Sequence, residues 1–242
     1  MLDILKRACR HPFDYSGVRR TTTLTFERKI QESDSIYSFI FSAEELPSWQ
    51  AGQHSIYAFV DKKVDGKSWR PFSVASAPHE KQIRIGTNLP EPHSDFKQKL
   101  MELEPGEKIK MHGPFGEFYV RDHMKQIVGV AGGIGITPFR AIIADLSHKK
   151  SPVKLTLIYS TKNRKYTYKE ELEEWRSQNP NIEIIYTETP DEVNAELSKQ
   201  VELHHNSAHY FIAGPPGMIS ALKSGLKEKA IRNVVNDPFK GY

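Results

Sequence analysis

The chain has little of what several common protein classes require. Its 242 residues include a single cysteine, Cys9. One thiol makes no internal disulfide, no cysteine-rich zinc site and no iron–sulfur cluster, so a built-in cluster domain is excluded. No apolar run approaches the ~18 residues of a membrane-spanning helix. The start, Met1 to Arg7, lacks the basic-then-apolar order of a secretory signal, and a cytoplasmic location is expected. Charge of one sign is also scarce, with 34 basic against 30 acidic residues. Residues 1–122 carry 18 basic and 17 acidic side chains, and residues 123–242 carry 16 and 13. Neither half has the excess of a nucleic-acid binder. The small surplus in the second half suits an anionic small ligand or an acidic partner. The ten histidines show no metal-ligand spacing, and neither a repeat nor a low-complexity tract is present.

What is present is a core's worth of aromatics, 12 Phe and 10 Tyr, in a chain long enough for one large domain or two modest ones. The first half reads as short strands: Thr21–Ile30, Ser35–Phe41, His54–Val60, Trp69–Ala75 and a run around Ile83 and Ile85. Leu46-Pro47, Ala51-Gly52, Val64-Asp65-Gly66 and Ala77-Pro78 separate them. This spacing predicts an antiparallel β-barrel or sandwich. One helix interrupts it, with Ser94 as N-cap, Asp95 in the first turn, and Phe96, Leu100, Met101 and Leu103 as its apolar set. Near residue 123 the pattern changes. Apolar runs at 126–131, 153–159, 182–186 and 210–213 alternate with helical stretches near 138–147, 168–177, 192–203 and 216–229. That alternation predicts an α/β domain with a doubly wound parallel sheet.

Three segments carry chemistry. Ala131-Gly132-Gly133-Ile134-Gly135-Ile136-Thr137-Pro138 follows an apolar strand and opens a helix. Glycines let the backbone turn sharply and approach a ligand, and a helix start favours an anion. A tight turn without a ligand reads the same in isolation. Arg70-Pro71-Phe72-Ser73-Val74 lies on a barrel strand. Its Arg offers a rigid fork for phosphate, its Phe a flat face and its Ser a small donor. Alternation places Arg70, Phe72 and Val74 on one face. Ala213-Gly214-Pro215-Pro216-Gly217-Met218 again sits between a strand and a helix, on the rim where doubly wound sheets bind ligands.

In this order the segments resemble the ferredoxin–NADP reductase superfamily. Arg70–Ser73 is similar to its R-x-[FY]-S flavin motif, Gly132–Pro138 to its G-G-x-G-x-T-P nucleotide motif, and Gly214–Met218 to its G-P-P-x-M turn. Gly113–Phe118 resembles the turn that closes the flavin domain. The resemblance spans about residues 20–242 and implies a two-domain protein: an arm (1–19), an FAD-binding barrel (20–122) and an NAD(P)-binding domain (123–242) with an aromatic tail. It implies that Arg70 holds the FAD pyrophosphate, Phe72 packs on the flavin, Ser73 bonds near its N5, and Ser94 meets a phosphate through backbone amides. Pro71, Val74 and Gly86, with Thr87 and Asn88, line the same groove. Gly132, Gly133, Ile134, Gly135 and Pro138 hold the dinucleotide, with Gly214, Pro215, Pro216 and Met218 beside them. Thr137 stands next to the nicotinamide, and Tyr242 or Phe239 covers the flavin face. Ala213 departs from the Cys that many relatives carry there.

The coenzyme's 2′-phosphate would fall just after the second parallel strand. Ser160, Lys162 and Arg164 are there to bind it and Tyr168 to stack on adenine, with no acidic residue before Glu170. NADPH is therefore expected, with NADH as the alternative. The implied activity is hydride transfer from NAD(P)H to FAD at a cleft between the two halves. Single electrons then pass to a separate acceptor such as ferredoxin, flavodoxin or an oxygenase. A free-flavin or ferric reductase, or a non-catalytic redox-responsive binding protein, are the alternatives.

Overall fold

A strand with one face on a core alternates buried and open side chains. Thr21–Gln31 (β1) does so, burying Leu24 and Phe26. In the computed structural model, which describes residues 12–237, β1 lies inside a six-stranded antiparallel sheet. Its other members are Ile36–Ser42 (β2), His54–Phe59 (β3), Trp69–Ser73 (β4), Ile83–Asn88 (β5) and Lys108–Phe115 (β6), in the order β4-β3-β6-β1-β2-β5. The outermost strands meet beyond the end of β4, where the Ala75 N–H donates to the Arg84 carbonyl at 2.7 Å, curling the sheet towards a barrel. Its core is aromatic: the Phe26 ring lies 5.5 Å from Phe41 and 6.2 Å from Phe39. Helix α1, Asp95–Met101, has Ser94 at its N-cap and sends Phe96 and Leu100 into the same core.

Residues 12–19, expected as part of an arm, are docked on this unit. The Asp14 carbonyl accepts the Gly116 N–H and its carboxylate accepts the Tyr119 hydroxyl, both at 2.7 Å. Cys9 and the apolar stretch before it lie outside the described residues.

The chain divides into two units between Tyr119 and Val120. The second unit alternates strand and helix: Gln126–Gly132 (β7), Ile136–His148 (α2), Lys154–Ser160 (β8), Lys169–Gln178 (α3), Ile182–Thr187 (β9), Pro190–His204 (α4), His209–Ala213 (β10), Pro216–Glu228 (α5) and Val234–Asn236 (β11). The strands pair in parallel in the order β11-β10-β7-β8-β9. Helices on a parallel sheet bury strands on both faces, and β7 is accordingly buried from Ile127 to Gly132. Helix α4 starts on a capping box, with Thr189 accepting from the Glu192 N–H and Pro190 in the first turn. Helix α2 begins at Ile136, two residues before the expected start, because a 3-10 turn over Gly133–Gly135 leads into it. The chain leaves β7 towards β8 and returns on its other side at β10. The strand order therefore reverses between β7 and β10, where doubly wound sheets take their ligands.

Phe26→Ala removes the centre of the barrel's aromatic cluster. Urea denaturation should register a loss of about 3–5 kcal/mol; a loss below about 1 kcal/mol would mean that the cluster does not hold this unit together.

Candidate functional site

In the first unit, β4 pairs with β3 so that Tyr57 faces Arg70, Ser55 faces Phe72 and His54 faces Ser73. Arg70 and Phe72 share a side, as strand alternation requires. The Arg70 guanidinium lies 5.4 Å over the Phe96 ring, and the Phe72 ring centre is 6.2 Å from that of Phe96. Carbonyls of Lys67 (2.5 Å) and Trp69 (2.9 Å) accept from Arg70 Nη1 and hold the fork. Arg70, Pro71 and Val74 are buried, whereas Phe72 and Ser73 are half-buried. Gly86 is buried on β5 opposite Ser38.

Helix α1 adds what the sequence reading lacked. Lys97, only 8% exposed, reaches the Asn88 carbonyl at 2.7 Å. Burial, and then the charge of Arg70, hold its amine below the ordinary lysine value. Two cations are thus placed near each other in a poorly solvated region. Ser94 caps no backbone N–H with its side chain, and Ser94 Oγ and Asn88 Oδ1 are buried with no hydrogen-bond partner among the described residues. Two cations, two orphaned polar atoms and a half-buried ring fit a ligand bearing phosphates and an aromatic system, as FAD does. Lys97 was detectable in principle. It stands three residues before Leu100, on the apolar side of the helix, where a lysine is unusual.

In the second unit, the turns after β7 and β10 meet backbone to backbone. Parallel pairing sets Ala131 beside Ala213. Gly133 has φ +54° and Gly214 φ +157°, conformations that L side chains rarely adopt. A methyl group at Gly135 would overlap the Ala213 carbonyl and stand 2.6 Å from the Gly214 nitrogen. One at Gly132 would strike Met218 Sδ and come within 3.0 Å of Pro215 Cδ. Pro216 is exposed at the start of α5. No side chain caps the start of the 13-residue α2, whose dipole is positive at that end. Ile134 is half-buried in the turn, and Pro138 is the third residue of α2 rather than its first. Thr137 is 4% exposed and donates its hydroxyl to the Ile134 carbonyl at 2.6 Å. Ala213 is fully buried and brings no thiol to the site.

The loop after β8 differs from its sequence expectation in two respects. Ser160 is half-buried and Lys162 exposed, but the Arg164 Nε donates to Glu188 Oε2 at 2.9 Å. The carboxylate missing from the local sequence arrives from the end of β9. Tyr168 is buried in the fold, with the Arg140 guanidinium 5.6 Å from its ring. The half-buried ring of this loop is Tyr166, 4.6 Å from Tyr186. Phe239 and Tyr242 lie outside the described residues.

Residues 130–224 match the family described as the oxidoreductase NAD-binding domain. The chain is similar to one component of the Na(+)-translocating NADH-quinone reductase of Methylococcus capsulatus, 29% identical over 210 residues, or 75% of this chain and 52% of that protein. It thus spans about half the length of the curated relatives it matches. Its fold is also that of a ferredoxin NADP+ reductase from Neisseria gonorrhoeae solved with FAD and NADP (TM-score 0.73, 18% identity, 92% of this chain and 99% of that one). The reductase from Plasmodium falciparum solved with 2'P-AMP aligns comparably (TM-score 0.75, 18% identity, 93% and 97%). With its antiparallel barrel unit and parallel nucleotide-type unit, the chain has the two-unit fold of these reductases, and its residues 130–224 match an oxidoreductase NAD-binding domain.

Gly135→Ala forces the two turns apart. Binding of AMP, measured by calorimetry, should weaken by about tenfold or more, since backbone cannot yield as a side chain can. Unchanged affinity would show that the close approach of the turns is incidental to binding.

Proposed function

We propose that the chain is an FAD-dependent NAD(P)H oxidoreductase that hands electrons to a separate acceptor. What supports this reading is the pairing of Arg70 with the largely buried Lys97 in the first unit and the uncapped start of α2 behind Gly132–Gly135 in the second, both suited to a dinucleotide's anions. In this reading Arg70 and Lys97 neutralise the FAD pyrophosphate, and Ser94 and Asn88 supply polar contacts. Pro71, Val74 and Gly86 shape the groove, Phe72 supports the ring system, and Ser73 orients N5. Backbone amides of the glycine turn take the coenzyme's phosphates, with Gly214–Met218 beside them. Because the Thr137 hydroxyl donates to Ile134, its oxygen is left to accept from the nicotinamide carboxamide. Phe239 or Tyr242 is assigned to cover the flavin face.

Bound FAD would supply the chemistry that no side chain here has, accepting hydride and releasing electrons one at a time. The chain's own contribution is positioning: nicotinamide C4 must come within about 3–3.5 Å of N5, and no side-chain acid or base is needed. The acceptor is assigned outside these residues, to ferredoxin, flavodoxin or an oxygenase, since one cysteine builds no cluster. Lys162 and Arg164 support NADPH; Glu188 opposes it. No helix of the described residues is long and apolar enough to cross a membrane, and a cytoplasmic location is part of the proposal.

Protein reconstituted with FAD should be yellow, keep its colour through gel filtration, and bleach on anaerobic addition of NADH or NADPH. Protein that stays colourless refutes the reading, and colour lost on the column points to flavin as a substrate instead. Arg70→Ala and Lys97→Met should each weaken FAD binding by roughly tenfold, the scale of one charge-assisted bond. The sign of a proton effect follows as well. Lys97 sits below its ordinary value in the free protein, and phosphate raises it again. FAD binding should therefore take up protons at alkaline pH and weaken as pH rises through the free-state value. Calorimetry in buffers of different ionisation enthalpy measures that uptake, and Lys97→Met should abolish it.

A further inference from the structure

The barrel unit presents one sheet face that the proposed function does not use. Cross-strand pairing fixes its rows. Trp69, Ala58, Lys110 and Thr23 lie side by side across β4, β3, β6 and β1, and Pro71, Ile56, His112 and Thr21 form the next row. On the other side of the first row, Lys108 stands opposite Thr25. Successive residues of a strand point to opposite faces, so these rows lie on the side away from Leu24, Tyr57, Ile109 and Met111, which are in the core. Lys108, Lys110, Thr21 and Thr23 are exposed, and Ile56, Ala58, Trp69 and His112 are half-buried. The Lys67 ammonium lies 3.7 Å from the centre of the Trp69 ring. No residue of these rows is acidic. At the edge, Glu107 is held by Lys62 at 2.8 Å, and Asp61 follows Val60.

Large apolar side chains stand at the margins of this face. Four are exposed among the described residues, and three of them border it. Val60, 38% exposed, follows β3 at one end. Phe13 (91%) and Val18 (37%) belong to the segment docked at the other end. There the Arg20 carbonyl accepts the Gly113 N–H at 3.1 Å, and Gly17 lies against the Pro114 carbonyl. The exposed Arg19 and Arg20 lead from Val18 into β1. A protein partner favours the reverse arrangement, an apolar centre poor in lysine within a polar rim. Cations in the middle with apolar side chains at the ends suit the headgroup layer of a bilayer. Lysine and arginine meet phosphates there, while aromatic and aliphatic side chains enter the acyl boundary. We propose that this face docks the chain reversibly on an anionic lipid surface.

The test sediments the full chain, with and without FAD, against vesicles of phosphatidylcholine alone and of phosphatidylcholine mixed two to one with phosphatidylserine. The protein should pellet with the mixed vesicles at about 0.1 M salt and be released by about 0.5 M, because salt screens the headgroup contacts. Lys108→Gln combined with Lys110→Gln should lower the vesicle partition coefficient about tenfold, and Phe13→Ser about fivefold. The two variants act on different parts of the face, so loss of folding in one leaves the other to decide. No pelleting, equal pelleting with both kinds of vesicle, or partition within twofold of wild type in both variants overturns the proposal. Retention on immobilised polyglutamate without vesicle binding assigns the face to an acidic protein and likewise overturns it. Vesicle binding is read without coenzyme, so its failure leaves the oxidoreductase reading standing.

Discussion

The second unit depends on a contact between two stretches of backbone. Where the strand order reverses, the turn after β7 and the turn after β10 touch with no side chain between them, and only glycine fits at 135. That closeness brings Gly132–Thr137 and Gly214–Met218 to one rim of the sheet. The start of α2 at that rim has no side-chain cap and no acidic residue in its first turn, so its own sequence leaves the dipole uncompensated. Behind it, fully buried Arg140 of α2 bonds Glu171 of α3 at 3.0 and 2.5 Å and lies 4.9 Å from the Trp175 ring, which anchors the helix. With Arg140 buried but Glu171 about a third exposed, the pair is weak support for stability and better support for orientation.

The first unit solves a different problem. Placing Arg70 and Lys97 near each other under the surface costs free energy, visible in the depressed amine of Lys97. In the proposed function a ligand carrying two negative charges would offset that cost, linking the strain between the two cations to affinity. In the second unit the loop after β8 balances charge in the opposite way, with Glu188 already answering Arg164.

The elements that local pattern specifies were legible in the sequence. Period-two alternation marked β1 and β2, apolar runs marked β7 to β10, and Ser94 with its apolar set marked α1. The glycine turns were legible because positive φ and close approach need a specific residue type. β6 went unread although Lys108-Ile109-Lys110-Met111 alternates, since Gly113-Pro114 at its far end reads as a turn. β11 has only two apolar residues, Val234 and Val235, and exists because β10 offers it a parallel edge. Glu188 was invisible for a similar reason: it meets Arg164 from 24 residues away, through the pairing of β8 with β9. Tyr168 is an aromatic whose burial local sequence does not encode. Lys97 lies between these cases, since its helical position was readable and its neighbour Arg70 was not.

The central claim is direct hydride transfer from a reduced nicotinamide to a flavin held by this chain. Stopped-flow bleaching of the reconstituted protein, with coenzyme deuterated at C4 compared with ordinary coenzyme, tests it most directly. The account predicts single-turnover reduction that is slower with the deuterated donor. A flavin that stays oxidised, or is bleached equally fast by both donors at saturating concentrations, would contradict it.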